Sequence, residues 1–143
     1  MCGVCDYCIV AIYYYHIYEW ESIEANQDGK NGYIKVKTKS GTKEVPLKEY
    51  CIGTLAKEIS VDFEEEALKA QAVIVRTTIY KKIEEEGNKA VMTERFFTKS
   101  DMKNQWGRST FQKNYKKLER VWNETDGQVL MYNGQLAMVP FHQ

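Results

Sequence analysis

The stretch Glu58-Ile-Ser-Val-Asp-Phe-Glu-Glu-Glu-Ala-Leu-Lys-Ala-Gln-Ala-Val-Ile-Val-Arg76 constrains the fold of this chain more than any other. It reads as the end of one helix, a short turn, and a long helix carrying polar groups where apolar ones are expected. Asp62 suits the N-cap, and Glu65 three residues later completes a capping-box pattern. At 100° per residue, Phe63, Ala67, Ala70 and Ile74 form one apolar stripe, and Leu68, Ala72, Val75 and Ile79 form a second. Gln71 falls between the two. An amide enclosed there has to be hydrogen-bonded, because leaving it unpaired costs roughly 1–3 kcal/mol. It either ties a neighbouring backbone in place or faces a cleft beside Glu58.

At 143 residues the chain suits one domain with a real core. Lysine plus arginine and aspartate plus glutamate both number 20. That balance provides no electrostatic case for nucleic acid and no strong field towards an anionic membrane. Ten tyrosines and three tryptophans suit a sugar-binding surface and a packed core equally well. Cys2, Cys5 and Cys8 have a spacing that thiolate metal ligands use, with His16 as a further donor, but no second C-x-x-C pair follows. A simple hydrophobic role is the commoner explanation, and Cys51 reads as a small core residue. Met1 to Tyr18 is strongly apolar and aromatic. Its apolar part is shorter than the roughly 20 residues a spanning helix needs, and it lacks the basic start and cleavage site of a signal peptide. A membrane-anchor remnant, a misassigned start and a core strand all remain open for it.

Residues 1–32 therefore form an apolar segment and loop ahead of a domain over 33–143. Tyr33–Thr38 alternates and turns at Ser40-Gly41 into Thr42–Val45, a hairpin pattern. Pro46 opens a helix to about Glu58, with Leu47, Tyr50, Cys51 and Leu55 inward. Gly53 weakens that helix or marks close approach of another backbone. The long helix runs from about Phe63 to Glu86 and ends at Gly87. Ser100 is placed to cap a short helix holding Met102 and Trp106, and Phe111, Tyr115, Leu118, Val121 and Trp122 mark another helix. Asn133-Gly134 joins Gln128–Tyr132 to Gln135–His142 in the strongest hairpin signal of the chain. The fold class expected is α+β, with an antiparallel sheet of hairpins packed on the long helix.

Three stretches resemble the stage II sporulation protein D / amidase-enhancer (LytB-like) domain. They are Val45-Pro-Leu-Lys-Glu-Tyr-Cys-Ile-Gly-Thr-Leu-Ala-Lys-Glu58, Ala67-Leu-Lys-Ala-Gln-Ala-Val-Ile-Val-Arg-Thr77, and Trp122-Asn-Glu-Thr-Asp-Gly-Gln-Val-Leu-Met-Tyr-Asn-Gly134 with Phe141-His142. The resemblance implies an extracytoplasmic protein of the cell wall, wall- or membrane-associated, acting on peptidoglycan glycan strands. In one branch of the family the activity is lytic transglycosylation during engulfment of the forespore; in the other the domain enhances a cell-wall amidase. Carried onto this chain, the catalytic glutamate falls on Glu58, with Gln71, Arg76 and His142 as substrate-binding or supporting residues. From the residues alone, Glu58 reads as a solvated side chain at a helix end. The resemblance implies no cofactor; a metal at His142 would need ligands from the family's usual continuation after this His, which is missing. That implies a C-terminally truncated domain. The implied partners are glycan strands, with an amidase or other engulfment proteins alongside them.

Overall fold

The computed structural model describes Ala11–Tyr14 as backbone and residues 32–139 in full. In chain order the elements are β1 (Ala11–Tyr14), β2 (Tyr33–Thr38), β3 (Gly41–Pro46), α1 (Leu47–Glu58), α2 (Glu65–Glu86), a 3-10 turn (Gly87–Lys89), β4 (Val91–Met92), α3 (Lys99–Trp106), α4 (Arg108–Glu124), β5 (Gln128–Tyr132) and β6 (Gln135–Leu136). The class is α+β, as the residue pattern predicts. The hairpins, however, contribute to two sheets rather than one. One has the order β1-β5-β6 and is antiparallel; the other has the order β3-β2-β4, with β2 and β4 parallel. The parallel pair arises because α1 and α2 intervene between its strands, as a parallel return requires.

α2 is the hub, packing against α1, α4, β5 and β6. Its inward side is the second of the two stripes, with Leu68, Ala72, Val75 and Ile79 all buried, joined by Val73, Tyr80 and Ile83. The first stripe is not buried. Ala70 is exposed, Ala67 and Ile74 are half-exposed, and Phe63 lies outside the helix with 57% of its surface open. The expected cap at Asp62 is also absent. Ser60 Oγ donates to the Asp62 carboxylate at 3.3 Å and the Ser60 carbonyl accepts from Phe63 N at 3.1 Å, so a turn takes up these groups. The helix then begins two residues later than the pattern predicts, from Glu64 as N-cap. At the other end Gly87, with φ 57°, terminates α2 as predicted.

The cap of α3 is Thr98 rather than Ser100. Thr98 Oγ1 accepts from Asp101 N at 3.2 Å, and Asp101 Oδ2 accepts from Thr98 N at 2.8 Å. The side-chain bond from Thr98, then the backbone one, holds the Asp101 carboxyl below its ordinary value. The late hairpin turns on Asn133 (φ 50°) and Gly134 (φ 76°), the two left-handed residues its tight turn demands. Its second strand ends at Leu136 among the described residues. Within α1, Gly53 marks a close approach: Phe97 N donates to the Gly53 carbonyl at 3.1 Å, and a β-carbon there would collide with the Phe97 carbonyl and the Phe96 ring. Cys51 is fully buried beside it. Cys2, Cys5, Cys8, His16 and His142 lie outside the described residues.

Two stability outcomes follow from these contacts. Gly53→Ala removes a helix penalty of about 1 kcal/mol, yet the collision outweighs it, and the variant loses about 1–3 kcal/mol in urea unfolding. Thr98→Ala loses about 1 kcal/mol near neutral pH. Because the folded Asp101 titrates below the unfolded one, its contribution is present above the unfolded value and vanishes as pH falls through the folded one. The wild type and Thr98→Ala unfolding midpoints therefore converge on acidification; a gap that widens below pH about 4 contradicts the assignment.

Candidate functional site

α1 stops at Glu58 because Ile59 turns extended, with φ −142° and ψ 139°, while its N–H still reaches the Leu55 carbonyl at 3.1 Å. The Glu58 side chain is not a solvated one: only 13% of it is accessible. Lys57 Nζ donates to its Oε1 at 2.8 Å, and Oε2 has no hydrogen-bond partner among the described residues.

The segment from Ile59 to Glu64, which links the glutamate to α2, is fixed from below. Val61 inserts into the core at 4% exposure. Lys117, reaching from α4, donates to the carbonyls of Val61 at 2.8 Å and Phe63 at 3.1 Å. The first turns of α2 are tied to the same helix by charge. Arg120 Nη2 meets Glu65 Oε2 at 2.7 Å, and Lys69 Nζ meets Glu124 Oε2 at 3.0 Å. The Arg120 hydrogen bond draws the Glu65 carboxyl below its usual value, and hydrogen bonds to Glu124 and then Glu66 push Lys69 up to about 12. Exposed pairs of this kind each contribute little; together they orient α2 against α4.

Gln71 lies on the half-exposed side of α2, between Ala67, Ala70 and Ile74. Its amide has no hydrogen-bond partner among the described residues, so it ties none of their backbones. It faces the solvent-accessible side of the helix instead.

Arg76 is placed quite differently. It is fully buried, and its guanidinium lies 4.0 Å over the Trp122 ring. Nη2 donates to the Trp122 carbonyl at 2.9 Å; Nη1 donates to the Thr125 carbonyl at 2.6 Å and the Gln128 carbonyl at 3.3 Å. These carbonyls belong to the last turn of α4 and the start of β5, where helix ends leave acceptors unpaired. Its Nε has no hydrogen-bond partner among the described residues. Burial pushes the guanidinium below its ordinary value. The adjoining Thr77 continues the stitch, accepting from Leu130 N at 2.9 Å while donating to Val73 O at 2.7 Å. Arg76 is therefore a structural clamp that does not reach solvent, and a supporting role for it acts through the fold.

Glu58 and the open side of α2 with Gln71 are thus the accessible polar groups of the expected set, while Arg76 is internal and His142 lies outside the described residues. Lys117 is a residue that sequence reasoning passed over, and Phe63 one that it placed on an inward stripe. Lys117 carries no signal beyond its place on the polar side of an amphipathic helix, and Phe63 fitted an apolar repeat that extends beyond the actual helix start. Among the described residues, no group of three His, Cys, Asp or Glu side chains is placed to hold a metal. No helix among them is long and apolar enough to cross a membrane.

The family model for the stage II sporulation protein (SpoIID) matches residues 35–132. Similar proteins include stage II sporulation protein D of Bacillus subtilis (strain 168), 36% identical over 103 residues, and that of Bacillus amyloliquefaciens, 36% identical over 101 residues. In each case the match covers 64% of this chain and 29% of the relative. The chain therefore spans less than a third of the length of these curated relatives.

Removing the internal clamp exposes its importance. Arg76→Met leaves three carbonyls without their donor, and the loss is on the order of 3 kcal/mol. Arg76→Lys recovers only part of it, since one ammonium cannot fork across the same acceptors. Chemical unfolding reads both; a wild-type midpoint for Arg76→Met refutes the role.

Proposed function

The chain belongs to the stage II sporulation protein D family, and from that premise we propose that it cleaves peptidoglycan glycan strands as a lytic transglycosylase with Glu58 as acid and base. The observation supporting this reading is the enclosure of Glu58. A helix-terminal glutamate with no task is normally solvated, whereas this one keeps 13% of its side chain accessible beside a pinned loop.

Cleavage of the link from N-acetylmuramic acid to N-acetylglucosamine starts with the protonated Glu58 carboxyl giving its proton to the bridging oxygen. The bond from the muramic C1 to that oxygen breaks through an oxocarbenium-like transition state. The muramic 6-hydroxyl then attacks C1, its proton passes to the Glu58 carboxylate, and a 1,6-anhydro ring closes. No water and no second carboxylate are consumed, so one acid/base group suffices. With Lys57 on Oε1, Oε2 is the atom that exchanges the proton. Acid, base and nucleophile all come from Glu58 and the substrate, so the step needs no cofactor. In this reading the chain works outside the cytoplasmic membrane, at the wall remodelled during engulfment, with other engulfment proteins as its neighbours.

A second reading is a non-enzymatic wall-associated module that binds glycan or stimulates a partner amidase. The two separate cleanly. Purified glycan strands incubated with the protein should yield 1,6-anhydro ends by mass spectrometry, and Glu58→Gln should lower their yield by roughly 10²–10⁴-fold. Equal products from both proteins would refute the catalytic role of Glu58. Glycan pull-down or amidase stimulation that ignores Glu58→Gln would support the second reading.

A further inference from the structure

We propose that Phe63 is an aromatic platform for an acetamido sugar ring of the glycan, with the open side of α2 as the floor of that subsite. This rests on the glycan-binding reading of the preceding subsection, and it adds the residues that grip the strand. Phe63 leaves 57% of its surface open, a costly state for a large apolar ring. Yet its backbone is among the most restrained in the loop. Its N–H donates to the Ser60 carbonyl at 3.1 Å, and its carbonyl accepts from Lys117 Nζ at 3.1 Å. With its backbone held, the ring has only its two side-chain torsions to fix on meeting a ligand, the property that makes aromatic side chains good anchors.

The location suits a neighbouring sugar. The turn from Ser60 to Phe63 keeps their α-carbons within about 7 Å, and Ser60 is two residues from Glu58, so the platform stands at most about 14 Å from the carboxylate's backbone. Beyond Phe63 the chain enters α2, whose accessible side offers Ala67, Ala70 and Ile74 around Gln71. Small apolar residues beside an amide that has no hydrogen-bond partner among the described residues complement a pyranose bearing an N-acetyl group. The methyl and ring C–H groups meet the apolar surface, and the acetamido N–H and C=O meet the Gln71 side chain. Lys117, through its hold on the Phe63 and Val61 carbonyls, is the positioning residue of the platform.

Binding is read separately from cleavage, in the full chain carrying Glu58→Gln to prevent turnover. The probe is a defined tetrasaccharide of alternating N-acetylglucosamine and N-acetylmuramic acid, titrated by calorimetry. Adding Phe63→Ala should weaken binding roughly tenfold, while Phe63→Trp binds like the parent. Gln71→Leu should weaken the acetylated strand but leave a de-N-acetylated strand unaffected. Thermal midpoints of these surface variants stay at the parent value. Equal affinities for the parent and Phe63→Ala, or no binding of the tetrasaccharide by the parent, overturn the platform. Loss of binding in Phe63→Ala together with no anhydro product from the wild type keeps the platform and rejects the transglycosylase.

Discussion

The guanidinium of Arg76 is the interaction on which the rest of the structure depends. It takes three carbonyls at the junction of α4 and β5 and lays its plane on the Trp122 ring. An arginine without water is expensive, and its expense is offset only when its donors meet acceptors that would otherwise be orphaned themselves. The end of a helix supplies such acceptors. Through this contact two stretches that carry the family resemblance, one on α2 and one from Trp122 to Gly134, become a single packed unit. Thr77 completes it by receiving the Leu130 N–H. The signature helix is therefore first a structural element, and its accessible residues act from a frame that this clamp holds still.

Much of the frame was legible in the residues. Gly87 after the second helix and Asn133-Gly134 in the late hairpin each impose a backbone geometry on their own, and each holds; Pro46 ends β3 as the N-cap of the first helix, one residue ahead of the first turn expected for it. Gly53 was ambiguous between a weak helix and a close contact; the Phe97 carbonyl decides for the contact. Caps were less legible, because several short polar side chains compete at each helix start. Ser60 engages Asp62 and removes it from capping, while Thr98 with Asp101 displaces Ser100. Periodicity alone also could not say which of two apolar stripes on α2 faces inward. The buried one carries the branched residues Leu68, Val75 and Ile79, and within the helix the open one has two alanines and Ile74, a difference in volume that favours the first for filling a core.

The candidate site shows the same division. Glu58 stood out through resemblance, and its enclosure is a property of the folded chain that spacing does not encode. Arg76, grouped by that resemblance with the substrate-binding or supporting residues, lies inside the fold. Gln71 was expected to be enclosed and is accessible, since its neighbours are the small side chains of the open stripe. Lys117 comes from a helix far along the chain and meets the loop after Glu58 only by tertiary packing. Residues of this kind are invisible to local pattern, because their significance is set by what a distant element places beside them.

The parallel pairing of Lys35 and Val36 with Val91 and Met92 bears on how the molecule assembles. The β2–β3 hairpin is local and closes early, but its remaining neighbour arrives only after α1 and α2 have been traversed. Closing so long a loop costs chain entropy before any ladder bond repays it. The β2–β4 pairing is thus expected to form only after α1 and α2 have docked. A chain still emerging from the ribosome would present the β2 edge of that hairpin without its β4 neighbour, open to the company of other nascent strands.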